Sequence, residues 1–168
     1  MANLKIPSGS PSACGSISRC PTSVKFSLSS EVSTVIDIGR NTHGAFSANA
    51  VKLGEYVRDN TDEDATFLTG VHHLNPIASI AGRDIVCGPD LWLYYHGLDT
   101  TERKSEIYAF YADPANNTDT LKKYGVDYIL VSSYERNDYD VDYEGLEAIA
   151  DEVFSNREGR IYKVREGE

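Results

Sequence analysis

The chain has 168 residues, 40% apolar and 25% charged, the composition of one folded domain and not of a disordered chain. No apolar run reaches the roughly 20 residues that a membrane-spanning helix needs; "LWLYY" and "YILV" are strand-sized. The formal charge is −10, and because residues 1–42 carry Lys5, Arg19, Lys25 and Arg40 against Glu31 and Asp37, a balance of +2, the remainder carries −12; such a surface repels phosphate backbones, so nucleic acid is not an expected partner.

Residues 1–31 are rich in Ser, Pro and Gly without any period. They are expected to form a flexible leader or processing segment that adds little to a core. The boundary falls near 42, leaving 43–168 as a single domain. "VSTVIDI" at 32–38 is a short β-branched run and a candidate strand. Phe46, Ala50, Leu53 and Val57 recur at helical spacing and predict a helix over about 44–60, stopped by Asn60-Thr61-Asp62. "ATFLTG" at 65–70 predicts a strand, "NPIASIAG" at 75–82 a short helix opened by Pro76, and "RDIVCG" at 83–88 a second strand.

The stretch 90–103, "DLWLYYHGLDTTER", holds the lone tryptophan and reads as a loop. A helix follows over about 101–112, stopped by Asp113-Pro114. Thr118-Asp119 opens another that ends at "LKKYG", with Gly125 in the left-handed position after it. "VDYILVS" at 126–132 is the clearest buried strand. Tyr143, Leu146, Ile149, Ala150 and Val153 share one face of a last helix, and "RIYKV" at 160–164 closes the chain as a strand. Strands alternating with helices predict an α/β fold, a small two- or three-layer sandwich with a mainly parallel sheet of about four strands.

In such sheets ligands bind at the carboxyl ends of the strands. "GVHHLN", "GPDLWLYYHGLD", "SSYERNDYD" and the chain end are expected there. No Gly-rich phosphate loop follows any strand, and Ser132-Ser133 lack a nucleophile elbow. Cys14, Cys20 and Cys87 make an odd set without zinc spacing; Cys14 and Cys20 can pair outside the cytoplasm, and Cys87 sits in an apolar run. No cofactor is expected.

His72, His96 and Asp99 form a weak candidate metal or hydrolase set, against which His96-Gly97 reads as a turn and Asp99 as a helix cap. Trp92, Tyr94 and Tyr95 can form a sugar-stacking platform, their alternation with Leu91 and Leu93 setting one side inward; the competing reading has Trp92 filling the core. Glu135-Arg136, after the strand at 126–132, can hold a phosphate or carboxylate through Arg136, or can form an internal ion pair with Asp138 or Asp140.

"GRDIVCG" with "WLYYHGLD", then "LKKYGVDYILVSSYER" and "VFSNREGRIYKV", resembles the C-terminal soluble domain of large bacterial and archaeal multi-pass membrane proteins, predicted glycosyltransferases that use lipid-linked sugars. The resemblance spans about 44–165. It implies a position on the outer, extracytoplasmic face of the membrane and a partner in the membrane-embedded portion of the parent protein. There the catalytic acid lies on an early external loop of the membrane portion, so this domain is expected to be a non-catalytic accessory that contacts a sugar or lipid-linked sugar. Trp92, Tyr95, His96 and Asp99 match the motif as ligand-facing candidates, with Arg83, Glu135 and Arg136 as secondary ones. The alternatives are a stand-alone sugar-binding module and the hydrolase built on His72, His96 and Asp99.

Overall fold

The computed structural model describes residues 44–165, which lie in a compact unit spanning Gly44–Glu168. The candidate strand at 32–38, the leader and the Cys14/Cys20 pair fall outside the described residues.

The first helix, α1 (Ala48–Asn60), begins where the Ser47 side chain accepts the Ala50 N–H at 3.0 Å, and it turns Ala50, Leu53, Gly54 and Val57 inward. β1 (Thr66–Leu68) follows, then a π-helical turn at Ile77–Ala81 and β2 (Asp84–Ile85). Helix α2 (Asp90–Tyr95) precedes α3 (Thr101–Ala112) and α4 (Thr118–Tyr124); α4 stops at Gly125, whose φ of 62° is the left-handed conformation that a side chain would strain. β3 (Tyr128–Ser132) runs directly into α5 (Ser133–Asp138). Helix α6 (Tyr143–Ile149) leads into a hairpin of β4 (Ala150–Ser155) and β5 (Gly159–Val164).

The strands form an open five-stranded sheet in the order β2-β1-β3-β5-β4. β2, β1 and β3 are parallel; β5 runs antiparallel to both β3 and β4. The sheet is therefore mixed, not mainly parallel with four strands. The added strand is β4, whose residues also fit helical spacing. Tertiary pairing wins there: the Asn156 side chain accepts the N–H groups of Glu158 and Gly159 and closes a tight turn, and Phe154 stacks on Tyr56 at 4.4 Å between ring centres. A register shift between Glu152 and Phe154 marks a bulge in this edge strand.

Period-two alternation feeds a core on each face. Phe67, Leu130 and Ile161 face α1 and the π turn, where they meet Leu53, Val57 and Ile77. Leu68, Ile129, Val131 and Tyr162 face the other way, against Ile107, Phe110, Tyr111, Leu121 and Leu146. The fully buried Tyr111 hydroxyl donates to the Leu130 carbonyl at 2.7 Å, so α3 is pinned to β3 by a polar bond as well as by packing.

Candidate functional site

The carboxyl ends of β1, β2 and β3 lie on one edge of the sheet and lead into residues 69–75, α2 and α5 respectively. Because β5 is antiparallel, Gly159 is at this edge and Val164 at the opposite one. The chain end thus leaves the edge where a parallel strand would have placed it.

Glu135 is the strut of this edge. It is 2% exposed. One carboxylate oxygen accepts the Gly70 N–H at 2.8 Å; the other accepts the Ser132 N–H at 2.7 Å and the Ser132 hydroxyl. The carboxylate thereby ties the end of β1 to the end of β3 and completes the capping box of α5. Gly70 permits this approach, since a Cβ there would stand 2.9 Å from the Tyr139 ring and 3.0 Å from Glu135 Oε1. Beside it the Val71 N–H donates to the Tyr139 hydroxyl at 3.1 Å, and burial pushes that phenol far above its ordinary value.

Four rings run across the edge. Tyr134 of α5 stacks on His72 at 3.6 Å, His72 on His73 at 4.7 Å, and His73 meets Trp92 of α2 at 6.0 Å. His72 Nδ1 accepts the Leu74 N–H at 3.0 Å, which fixes the tautomer and leaves Nε2–H as a donor. Burial and the neighbouring His73 lower the His72 pKa, so the ring is neutral at pH 7.

Under the rings lies a hollow of about 180 Å³ lined by His72, Asp90, Lys104, Tyr108, Tyr134 and Asp138, among others. Lys104 and Asp90 form an ion pair, each holding the other charged: the carboxyl falls below and the ammonium rises above its usual range. A second hollow of about 170 Å³ shares the Tyr134 wall and is bounded by Phe46, Ser47, Leu74, Ser133 and Glu158. The Glu158 carboxylate accepts the hydroxyls of Ser47 and Ser133 at 2.7 and 2.9 Å. Each hollow is smaller than the roughly 300 Å³ at which ligand pockets begin.

The sequence candidates separate. Trp92 and Tyr95 sit on α2, whose most buried apolar side chain is the half-buried Leu93; they are 61% and 77% exposed. Trp92 is not a core plug, and the helix cancels the strand-like alternation of inward and outward sides. His96 ends α2 and Asp99 follows in an exposed turn, where its carboxylate accepts the Thr101 N–H at 2.9 Å. The Thr101 side chain first, and this backbone bond second, lower the Asp99 pKa. Arg136 lies at the same sheet edge but on the far side of the strut, donating to the Glu158 carbonyl at 3.0 Å, and forms no ion pair with Glu135, Asp138 or Asp140. Arg83 lies at the amino end of β2, the opposite edge. Its guanidinium donates to the carbonyls of Arg58, Thr61 and Ala81 and to the Thr61 hydroxyl, capping the end of α1. Its donors are therefore engaged by the fold.

No protein-family model and no curated protein matches this chain.

Among the described residues no three His, Cys, Asp or Glu side chains stand close enough to hold a metal ion, so His72, His96 and Asp99 do not assemble as one ligand set. Burial raises the Cys87 thiol, which keeps it protonated and inert. Lys104, Tyr108 and Asp138 were not legible as site residues. Lys104 and Tyr108 are one turn apart on the face of α3 turned toward the hollow, and only the fold brings that face to the strand ends. The edge thus brings together aromatic faces, one neutral imidazole donor and a charged pair.

Proposed function

We propose that this is a non-catalytic, extracytoplasmic accessory domain of a glycosyltransferase-like membrane protein. The carboxyl edge of its sheet rests on the membrane-embedded portion and contacts the sugar of a lipid-linked donor or of its acceptor. The observation that carries this reading is α2. Leu91, Trp92, Tyr94, Tyr95 and Leu98 form one largely exposed apolar and aromatic patch, and such patches mark interaction surfaces. One further feature supports it. The four-ring run continues from Trp92 to the polar hollow, so an aromatic face and fixed polar groups adjoin. None of the described helices is long and apolar enough to cross a membrane.

Trp92 and Tyr95 would supply ring faces, and His96, Asp99 and Arg136 polar contacts at the rim. The test is transfer from a lipid-linked sugar by the parent protein. Trp92→Ala with Tyr95→Ala should lower it tenfold or more while the isolated domain melts as before. Unchanged transfer, or a full parent reading frame that encodes no run of hydrophobic spans, would rule the proposal out. A stand-alone sugar-binding module is the second reading, favoured by the hollow beside the rings; saturable binding of a free monosaccharide to the isolated chain would select it.

A further inference from the structure

The opposite edge of the sheet carries a larger depression. It measures about 530 Å³, lies between α4 and α6, and is floored by Leu121, Val126, Ile149 and Val164. That volume is within the range of ligand pockets. Lys122 and Lys163 stand on its rim, and among the described residues neither ammonium has a carboxylate partner. Two cations beside an apolar floor, without a carboxylate partner among the described residues, are conspicuous in a chain of net charge −10.

The other charges at the rim are engaged. The Asp127 carboxylate accepts the Thr66 N–H at 2.9 Å. Arg165 donates to Asp151 and to the carbonyls of Glu147, Ala148 and Ala150. Helix carboxyl ends repel anions, and both α4 and α6 end here. Those ends are already answered, by Arg165 at α6 and by the Gly125 and Val126 N–H groups, which donate to the Lys122 and Leu121 carbonyls at α4. With Arg165 offset by Asp151, the two lysines outweigh Asp127 and leave the rim net positive. A sugar would leave its hydroxyls unpaired on this floor, whereas an alkyl chain would not.

The geometry points to a binding site for an amphipathic anion, a single alkyl or isoprenoid chain with a phosphate or carboxylate head. The tail lies on Leu121, Val126, Ile149 and Val164, and the head is held by Lys122 and Lys163. The inference is independent of the reading given to the carboxyl edge, and its probes act at the other end of the sheet.

The test is titration of the isotope-labelled full chain with decyl phosphate below its micelle threshold, alongside decanol and inorganic phosphate. Decyl phosphate should give saturable methyl shifts at Leu121, Val126, Ile149 and Val164 at micromolar to low-millimolar concentration, with both controls weaker. Lys122→Gln combined with Lys163→Gln should weaken it about tenfold or more, the loss expected for one or two charge-assisted contacts. Both lysines are exposed, so the variant should fold. Ala148→Trp, at the exposed rim, should fill the depression and abolish the shifts. The proposal is overturned by absence of saturation, by shifts confined to residues 90–98, by undiminished binding in the double-lysine variant, or by binding to phosphatidylglycerol vesicles without any binding of the monomeric amphiphile.

Discussion

Replacing Glu135 by alanine should destabilise the domain more than any exposed substitution. The carboxylate accepts the Gly70 N–H and the Ser132 N–H, both in buried backbone. A buried donor left without a partner costs about 1–3 kcal/mol, so two cost about 2–6. Gly70 also borders the polar hollow, where water can solvate its freed N–H, which favours the lower half, about 2–4 kcal/mol. For a domain of about 120 residues this corresponds to a fall in Tm of about 6–20 °C. Glu135→Gln keeps the volume and one acceptor oxygen but turns an NH2 toward the other donors, so a loss of about 1–3 kcal/mol is expected. Urea unfolding gives the free energies, and amide exchange at Gly70 and Ser132 reports the two bonds directly. A loss under about 0.5 kcal/mol for Glu135→Ala, with both amides still protected, would refute the strut.

Four other outcomes are expected. Arg83→Met should cost about 2–4 kcal/mol in urea unfolding, because three carbonyls at the end of α1 and before β2 lose a charged donor. His72 should titrate below 6.5 by NMR; since burial lowers the folded pKa, its contribution is present above pH 6.5 and is lost as the unfolded chain takes up the proton below it, a slope that His72→Gln should remove. Asp99→Ala should lower Tm slightly at pH 6, and the difference should vanish as pH falls through the depressed Asp99 pKa, below 3.8, where the wild-type carboxylate is itself protonated. Trp92→Ala in the isolated domain should change stability by no more than about 0.5 kcal/mol, as its ring is mostly in solvent.

Helix α3 was legible to the residue because its apolar spacing and Asp113-Pro114 agree on one answer, and β3 because no other element absorbs a run of four apolar residues in five. β4 was not, since Leu146, Ile149, Ala150 and Val153 satisfy a helical period and only the pairing with β5 overrides it. The short helix α5 carried a readable signal, Ser132-x-x-Glu135, which is a capping box. The same signal assigns Glu135 to backbone bonds and not to a ligand. Of the site, the three strand-end segments do share one edge, which follows from parallel connection alone. Arg83 shows the limit: a cation beside a strand reads the same at either end, and only the pairing places it at the amino end, under α1. For Trp92 the composition misleads, because a lone Trp usually serves the core, whereas here the helix turns Leu93 toward the core and leaves Trp92 exposed.

The two borders of the sheet are unlike its middle. One is β2, two residues long; the other is β4, with Asp151 and Glu152 ahead of its bulge. A bare border invites a neighbouring molecule to add its own strand, and shortness, acidic charge and a broken register each withdraw that invitation. Neither border therefore offers a long, flat, regular ladder on which a second copy of the sheet could extend.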